Sequence, residues 1–274
     1  MKRIFSVVFL IFLLVITSLP AYAAAATNIQ IKVDGVVIPS EVDPEIRNTR
    51  TMVPLRVISE NLGAKVNWSD SEVTLTRGDM QVILKLNSST AVKNGKTVLL
   101  DVKPFIKNNR TIVPLRFLAE TFGCNINYRN LTVTVDTEPL FIDGVKVTAL
   151  QQDLHMTMGS VVNQIKGNAN IEAIYNNFVD NKGSKVEAPS DPTWSVQYGT
   201  GQYDFLDQEG NSIKRFDIYS LSQSSPEAAH EVHIYDATEN QWYLFNDAAK
   251  KSMYQFIDTA TKNGFLTFIS NSAP

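Results

Sequence analysis

The 274-residue chain sets 25 Lys and Arg against 28 Asp and Glu, for a formal charge of −3, and is 44% apolar. That balance is ordinary for a globular protein, and a mildly acidic chain without a basic stripe excludes nucleic acid and anionic lipid surfaces as partners. A single cysteine, Cys124, excludes an internal disulfide, so the fold must rest on core burial.

Met1-Lys2-Arg3 leads into an apolar run from Ile4 to Ile16, then Pro20 and the small-residue site Ala21-Tyr22-Ala23. A positive start, an apolar centre and an A-x-A site describe a secretory signal peptide over residues 1–23, cut after Ala23. The alternative, a retained membrane anchor, requires a longer span than this run supplies. Cleavage leaves no membrane anchor, and with no cysteine near the cut no lipid-modified N-terminus is expected. The mature chain is expected to be secreted, either extracellular or associated with the cell wall.

Ile29, Ile31 and Val33 alternate with polar residues up to Asp34-Gly35, a hairpin signal. Glu41-Val42-Asp43-Pro44 leads on to Asn48-Thr49-Arg50-Thr51-Met52-Val53-Pro54-Leu55-Arg56. The same series returns 60 positions later: Asn94-Gly95, Asp101-Val102-Lys103-Pro104, then Asn108-Asn109-Arg110-Thr111-Ile112-Val113-Pro114-Leu115-Arg116. Pro54 and Pro114 suit a first helical position, and Gly63 and Gly123 suit the left-handed position past a helix end. Leu55, Ile58 and Leu62, like Leu115, Leu118 and Phe122, recur at helical spacing, so each copy carries a helix of two to three turns. Such a helix cannot stand alone in water and must lie on a sheet.

Arg56 precedes Glu60 by four residues and Arg116 precedes Glu120 likewise. This is the weaker charge order on a helix, which points the arginines toward a tertiary partner as structural clamps. Val66 and Trp68, then Val73 to Leu75, read as a second hairpin, repeated as Ile126 and Tyr128, then Val133 to Val135. Met80, Val82, Leu84 and Leu86 form an alternating strand that joins the copies. One copy is small for an independent core, so two tandem hairpin–short helix–hairpin repeats sharing a sheet are expected over residues 24–139.

The pattern D/N-G, R-T-x-V-P-L-R, E-x-x-G and a following Trp or Tyr resembles the copper amine oxidase N-terminal-like, or stalk, domain of secreted proteins from Gram-positive bacteria. The resemblance covers roughly residues 28–137. It implies a non-catalytic unit of sheet wrapped on a helix, remote from copper. It therefore implies structural roles for Arg50, Pro54, Arg56, Glu60, Gly63, Arg110, Pro114, Arg116, Glu120 and Gly123.

Residues 140–274 read as an α+β domain with a mostly antiparallel sheet. Phe141-Ile142-Asp143-Gly144-Val145 looks like the start of a third copy that is not continued. Val161, Val162 and Ile165, then Ile171, Ile174, Tyr175 and Phe178, suggest helical segments broken at Gly167-Asn168. A loop is expected from Asn181 to Pro192. Strands follow at Trp194–Tyr198, Tyr203–Leu206, Ile213–Leu221, Val232–Tyr235 and Trp242–Phe245. Asn246 caps a last helix ended by Gly264, and Phe265–Ile269 closes the domain.

No catalytic, cofactor or metal residues emerge. His230 and His233 are three apart on a strand and diverge, and with His155 they do not make the ligand set of an amine oxidase; strand histidines exposed to solvent are the default. Asp207–Asn211 fits a hairpin turn better than a calcium loop. The aromatics Trp194, Tyr198, Tyr203, Phe205, Trp242, Tyr243 and Phe245 suit core packing, with any on the outer side free to form a ligand face. The resulting expectation is a secreted, non-catalytic scaffold or binding protein whose repeats present a C-terminal recognition or sensing domain at the cell envelope. Its candidate partners are a cell-wall polymer or another extracellular protein. The rivals are an exported enzyme with its site in the C-terminal domain, and an inhibitor acting through Ser184–Pro192 or Ser222–Ala229.

Overall fold

The computed structural model describes residues 29–156, 159–189, 201–221 and 231–271. The expected leader and its Ala23 site lie outside them, as do the strand expected at Trp194–Tyr198, His230, and the loop Ser222–Ala229. The fold is mixed α+β, mostly strand, with largely antiparallel sheets. Among the described residues no helix is long and apolar enough to cross a membrane.

The first copy runs β1 (Gln30–Val33), β2 (Val36–Val37), β3 (Glu45–Arg47), β4 (Arg50–Pro54), α1 (Leu55–Asn61), β5 (Lys65–Ser69) and β6 (Glu72–Arg77). After β7 (Met80–Lys85) the same order returns as β8 (Thr90–Lys93), β9 (Lys96–Leu99), β10 (Phe105–Lys107), β11 (Arg110–Pro114), α2 (Leu115–Thr121), β12 (Asn125–Arg129) and β13 (Thr132–Asp136). One sheet has the order β10-β11-β4-β3, with β4 and β11 antiparallel and Val53 opposite Val113. Flanking sheets run β5-β6-β7-β8-β9 and β12-β13-β1-β2. The last strand of the second copy thus lies beside the first strand of the first, in parallel.

Contacts between the copies come in reciprocal pairs. Arg50 Nε donates to Asp101 Oδ2 at 2.6 Å, and Arg110 bonds Glu41. Arg47 lies 3.8 Å over the Phe105 ring, and Lys107 bonds Glu45. Exposed ion pairs of this kind contribute only about 0–1 kcal/mol each. Burying Val53, Val113, Met52 and Ile112, all at most 2% exposed, is worth about 1.5–3 kcal/mol per side chain. Burial therefore holds the register, and the ion pairs select it. Below the sheet a small second core joins Val42, Met52, Val102, Ile112 and Phe105, again in matched positions.

Two local details depart from expectation. Pro54 and Pro114 end β4 and β11 and stand at the N-caps with ψ 122° and 121°, one residue before the helix. Their extended ψ lets each close a strand before the chain turns into the helix. Between β3 and β4, and between β10 and β11, lie turns that were not read from the sequence, with positive φ at Asn48 and Thr49 and at Asn108 and Asn109. This is the primed hairpin geometry, here without the usual glycine. Gly63 and Gly123 do adopt positive φ, +81° and +71°, past their helices.

After the short hairpin β14 (Phe141–Ile142) and β15 (Val145–Lys146) come β16 (Ala149–Met156), β17 (Gly159–Ile165), α3 (Asn168–Asp180), β18 (Lys182–Val186), β19 (Gly201–Leu206), β20 (Ser212–Leu221), β21 (Glu231–Asp236), β22 (Gln241–Phe245), α4 (Asp247–Lys262) and β23 (Leu266–Asn271). The eight-stranded sheet runs β18-β22-β21-β20-β19-β16-β17-β23, with every pairing antiparallel. The helix expected around Val161–Ile165 is instead β17. Its valines pair with β16 and β23, and pairing across two neighbours outweighs the helical spacing of Val161 and Ile165. Part of the loop expected after Asn181 is also a strand, β18, which covers the β22 edge.

Helices α3 and α4 cover one face of this sheet. Phe178 stacks on Phe216 at 4.6 Å and meets Tyr203, Phe205 and Phe245. Asn246 caps α4 by accepting from Ala249 N at 2.6 Å. On the same inner side Asp236, fully buried, takes Lys182 at 2.6 Å and Lys214 at 2.8 Å. Glu239 joins both lysines and accepts from the Tyr243 hydroxyl.

One main core runs from the duplicated unit into the C-terminal sheet without a break. The turn residue Asp34 links the two regions. Its carboxylate accepts from Thr137 N at 2.8 Å, Thr137 Oγ1 at 2.7 Å and Asn168 N at 2.8 Å. The N-cap of α3 is Gly167, which has no side chain to offer, so Asp34 caps that helix from 134 positions away. Arg77 adds a second tie, donating to Phe122 O at the end of α2 and to Glu172 of α3, both at 3.1 Å.

Two predictions follow from these contacts. Asp34→Ala removes a cap and a charge-assisted network and should cost about 1–3 kcal/mol in denaturant unfolding; a loss under 0.5 kcal/mol would show the cap to be ornamental. Glu239 is held down to about 2, first by the Tyr243 hydroxyl and then by Lys182, against an unfolded value of 4.5. A depressed carboxyl stabilises above its unfolded value, and that contribution drains as pH falls from 4.5 toward 2. Glu239→Gln should therefore flatten the fall of Tm in that window, and an unchanged acid limb would contradict the assignment.

Candidate functional site

The motif residues fall into two groups. Arg50 and Arg110 cross to carboxylates of the other copy, Asp101 and Glu41. The helical arginines, expected to answer to a tertiary partner, differ between the copies. Arg56 stays on its own helix, 3.9 Å from Glu60, and Arg116 lies 5.7 Å over the Tyr128 ring. The reason is geometric: α1 and α2 lay their apolar faces on the sheet, so both arginines project outward. Burial raises the Glu60 carboxyl above the ordinary glutamate range, with Arg56 opposing.

Arg56, Glu60 and Pro54 border a groove of about 940 Å³ where both copies meet α4. Trp68, Ile106 and Arg110 also line it, and Lys262 and Asn263 close one end. Glu120 and Arg116, the second-copy counterparts of Glu60 and Arg56, are not among its lining.

The second candidate is the face of the eight-stranded sheet opposite α3 and α4. Register places Asp153, Gln202, Asp217, Tyr235 and Trp242 in one row across five strands. Tyr235 and Trp242 have ring centroids 5.1 Å apart, and Tyr219 lies 4.9 Å from Trp242. All three rings are half-buried. Beside them Arg215 grips Asp217 through two bonds of 2.8 Å. Burial pushes the Asp217 carboxyl above the usual aspartate range despite that guanidinium. Burial, with the Asp217 charge, pushes the Tyr219 hydroxyl up to about 12. Asp153 Oδ1 is shut off from solvent and accepts no hydrogen bond.

His155 and His233 belong to this face. His233, expected to be solvated, is 5% exposed; it pairs between Tyr219 and Leu244 in the middle of the sheet. Of the sequence-singled aromatics, Tyr203, Phe205 and Phe245 are core and Tyr243 faces the inner lysines. Trp242 is on the outer face, and its partners Tyr219 and Tyr235 had no place in the sequence reading. Strand alternation from Trp242 across the Asp236–Asn240 turn was the signal for Tyr235.

Asp207–Asn211 is the turn between β19 and β20, with Asn211 N donating to Asp207 Oδ1 at 2.8 Å. Cys124 is buried, and burial pushes its thiol up to about 11, far from a nucleophile. Among the described residues no three His, Cys, Asp or Glu side chains gather as a metal set. Of the proposed inhibitory loop, Ser184–Val186 is paired strand rather than a projecting tip; residues 190–192 lie outside the described part.

No curated protein matches the chain, and no solved structure does. Residues 32–137 match the copper amine oxidase N-terminal domain, a non-catalytic family.

Proposed function

We propose that the mature chain is an exported, non-catalytic binding protein of the cell envelope, of the kind found in Gram-positive bacteria. In this reading the duplicated unit is a stalk and the outer face of the C-terminal sheet is the reader. Three features support it: the leader over residues 1–23, the match of residues 32–137 to a non-catalytic family, and the half-exposed rings.

The observation that carries the reading is the Tyr219–Trp242–Tyr235 cluster of rings. Three rings on one rigid sheet give a broad apolar contact at little entropic cost. The Arg215–Asp217 pair, its carboxylate buried, lies beside them. A cell-wall polymer or another extracellular protein is the partner class, and the shared core with the stalk keeps the face at a fixed attitude.

A second reading, an exported enzyme, draws on the same face. Asp153, Asp204 and Asp217 share this face on β16, β19 and β20, and the raised Asp217 is the kind of carboxyl that general acids use.

Trp242→Ala should lower co-sedimentation of the mature protein with purified wall sacculi, or capture of an envelope protein, about tenfold or more, with the melting curve unchanged. Undiminished binding by a folded Trp242→Ala protein would remove the reader from this face. Turnover of a wall substrate abolished by Asp217→Asn, with binding intact, would favour the enzyme.

A further inference from the structure

The groove where the two copies meet α4 combines features that the scaffold does not need. Its volume is about 940 Å³, within the range of sites that hold small ligands. Trp68, on the edge strand β5, leaves 41% of its surface open there, and Ile106 of the other copy leaves 53%. An indole and a branched chain kept in water at one concavity form an apolar floor that no element covers among the described residues.

The rim is polar and balanced. Arg56 beside Glu60 and Arg110 beside Glu41 alternate donor forks with carboxylates, and Lys262 and Asp70 add one charge of each sign. Three cations and three carboxylates leave no net field to draw a polyanion or a polycation. They do supply what a ring of hydroxyls requires. Each hydroxyl donates to a carboxylate and accepts from a guanidinium, while the C–H face of the ring lies on the indole.

The molecule also contains its own control. Tyr128 holds the place of Trp68 in the second copy, but there Arg116 lies over the ring. Lys262 and Asn263 wall the groove beside the first copy's helix.

We propose that this junction groove is a binding site for an uncharged oligosaccharide, stacked on Trp68 and hydrogen-bonded by the Arg56–Glu60 and Arg110–Glu41 pairs. The site deepens the binding reading above but uses a different face, so each can fail alone.

The test is calorimetric titration of the mature protein with two soluble probes, the hexamers of β-1,4-linked N-acetylglucosamine and of β-1,4-linked glucose. Saturable binding of at least one is expected. Trp68→Ala should weaken it about tenfold or more, and Trp68→Phe less. Tyr128→Ala should leave it unchanged. Both Trp68 variants are at an exposed edge position, and retention of the parental melting curve certifies their fold. Absence of binding by both hexamers, equal loss from Tyr128→Ala and Trp68→Ala, or binding untouched by Trp68→Ala would each overturn the proposal. So would capture of an unstructured peptide at Trp68 with both sugars silent.

Discussion

Val53 and Val113 face each other across the β4–β11 pairing, each with no exposed surface. About that point the two copies exchange their contacts: Arg50 with Asp101 and Arg110 with Glu41, Arg47 with Phe105 and Lys107 with Glu45. A copy taken alone would leave β4 without its central neighbour and β1 without β13. Duplication is therefore the means by which a unit too small for its own core acquires one. The prolines ending β4 and β11 follow from the same arrangement. Each closes a central strand where a missing N–H costs nothing and sends the chain into a helix across the sheet.

That closed unit then fixes the C-terminal domain through a turn. A hairpin aspartate is normally spent on its own loop, but Asp34 reaches the first N–H of α3, whose own cap is a glycine. Arg77 ties the end of α2 to the same helix. Gly63 belongs to this contact as well, since a Cβ there would stand 3.3 Å from Ala169. The outer sheet face and the junction groove are held by this attachment, one as a platform facing away from the helices and one as a cleft that needs both regions to exist.

Much of the duplicated unit could be read from its residues, because a sixty-residue period repeats every turn, proline and glycine in register. The Asn48-Thr49 turn escaped because Thr49 is β-branched at positive φ, a place where glycine is the usual signal. In the C-terminal domain the pattern failed for a physical reason. Gln152 is 2% exposed on the inner face of β16, satisfied by the Tyr203 hydroxyl at 3.1 Å and by Asn163. A buried glutamine erases the alternation that marks a strand, so β16 had no visible pattern and β17, deprived of its neighbour, read as helix. Candidate site residues were legible only in part. Arg56 and Glu60 were found by motif, but their use in a groove depends on Ile106 of the other copy and on α4, and no local spacing reveals such a meeting. The Tyr219–Tyr235–Trp242 cluster likewise needs strand register, which only the folded sheet supplies.

The account holds that the duplicated unit and the C-terminal domain are one cooperative structure, joined by a continuous core and by Asp34. Scanning calorimetry of the mature protein measures this directly. One transition is expected, with calorimetric and van't Hoff enthalpies equal. Two resolved transitions, or a calorimetric enthalpy well above the van't Hoff value, would show that the regions unfold separately and would contradict the shared core.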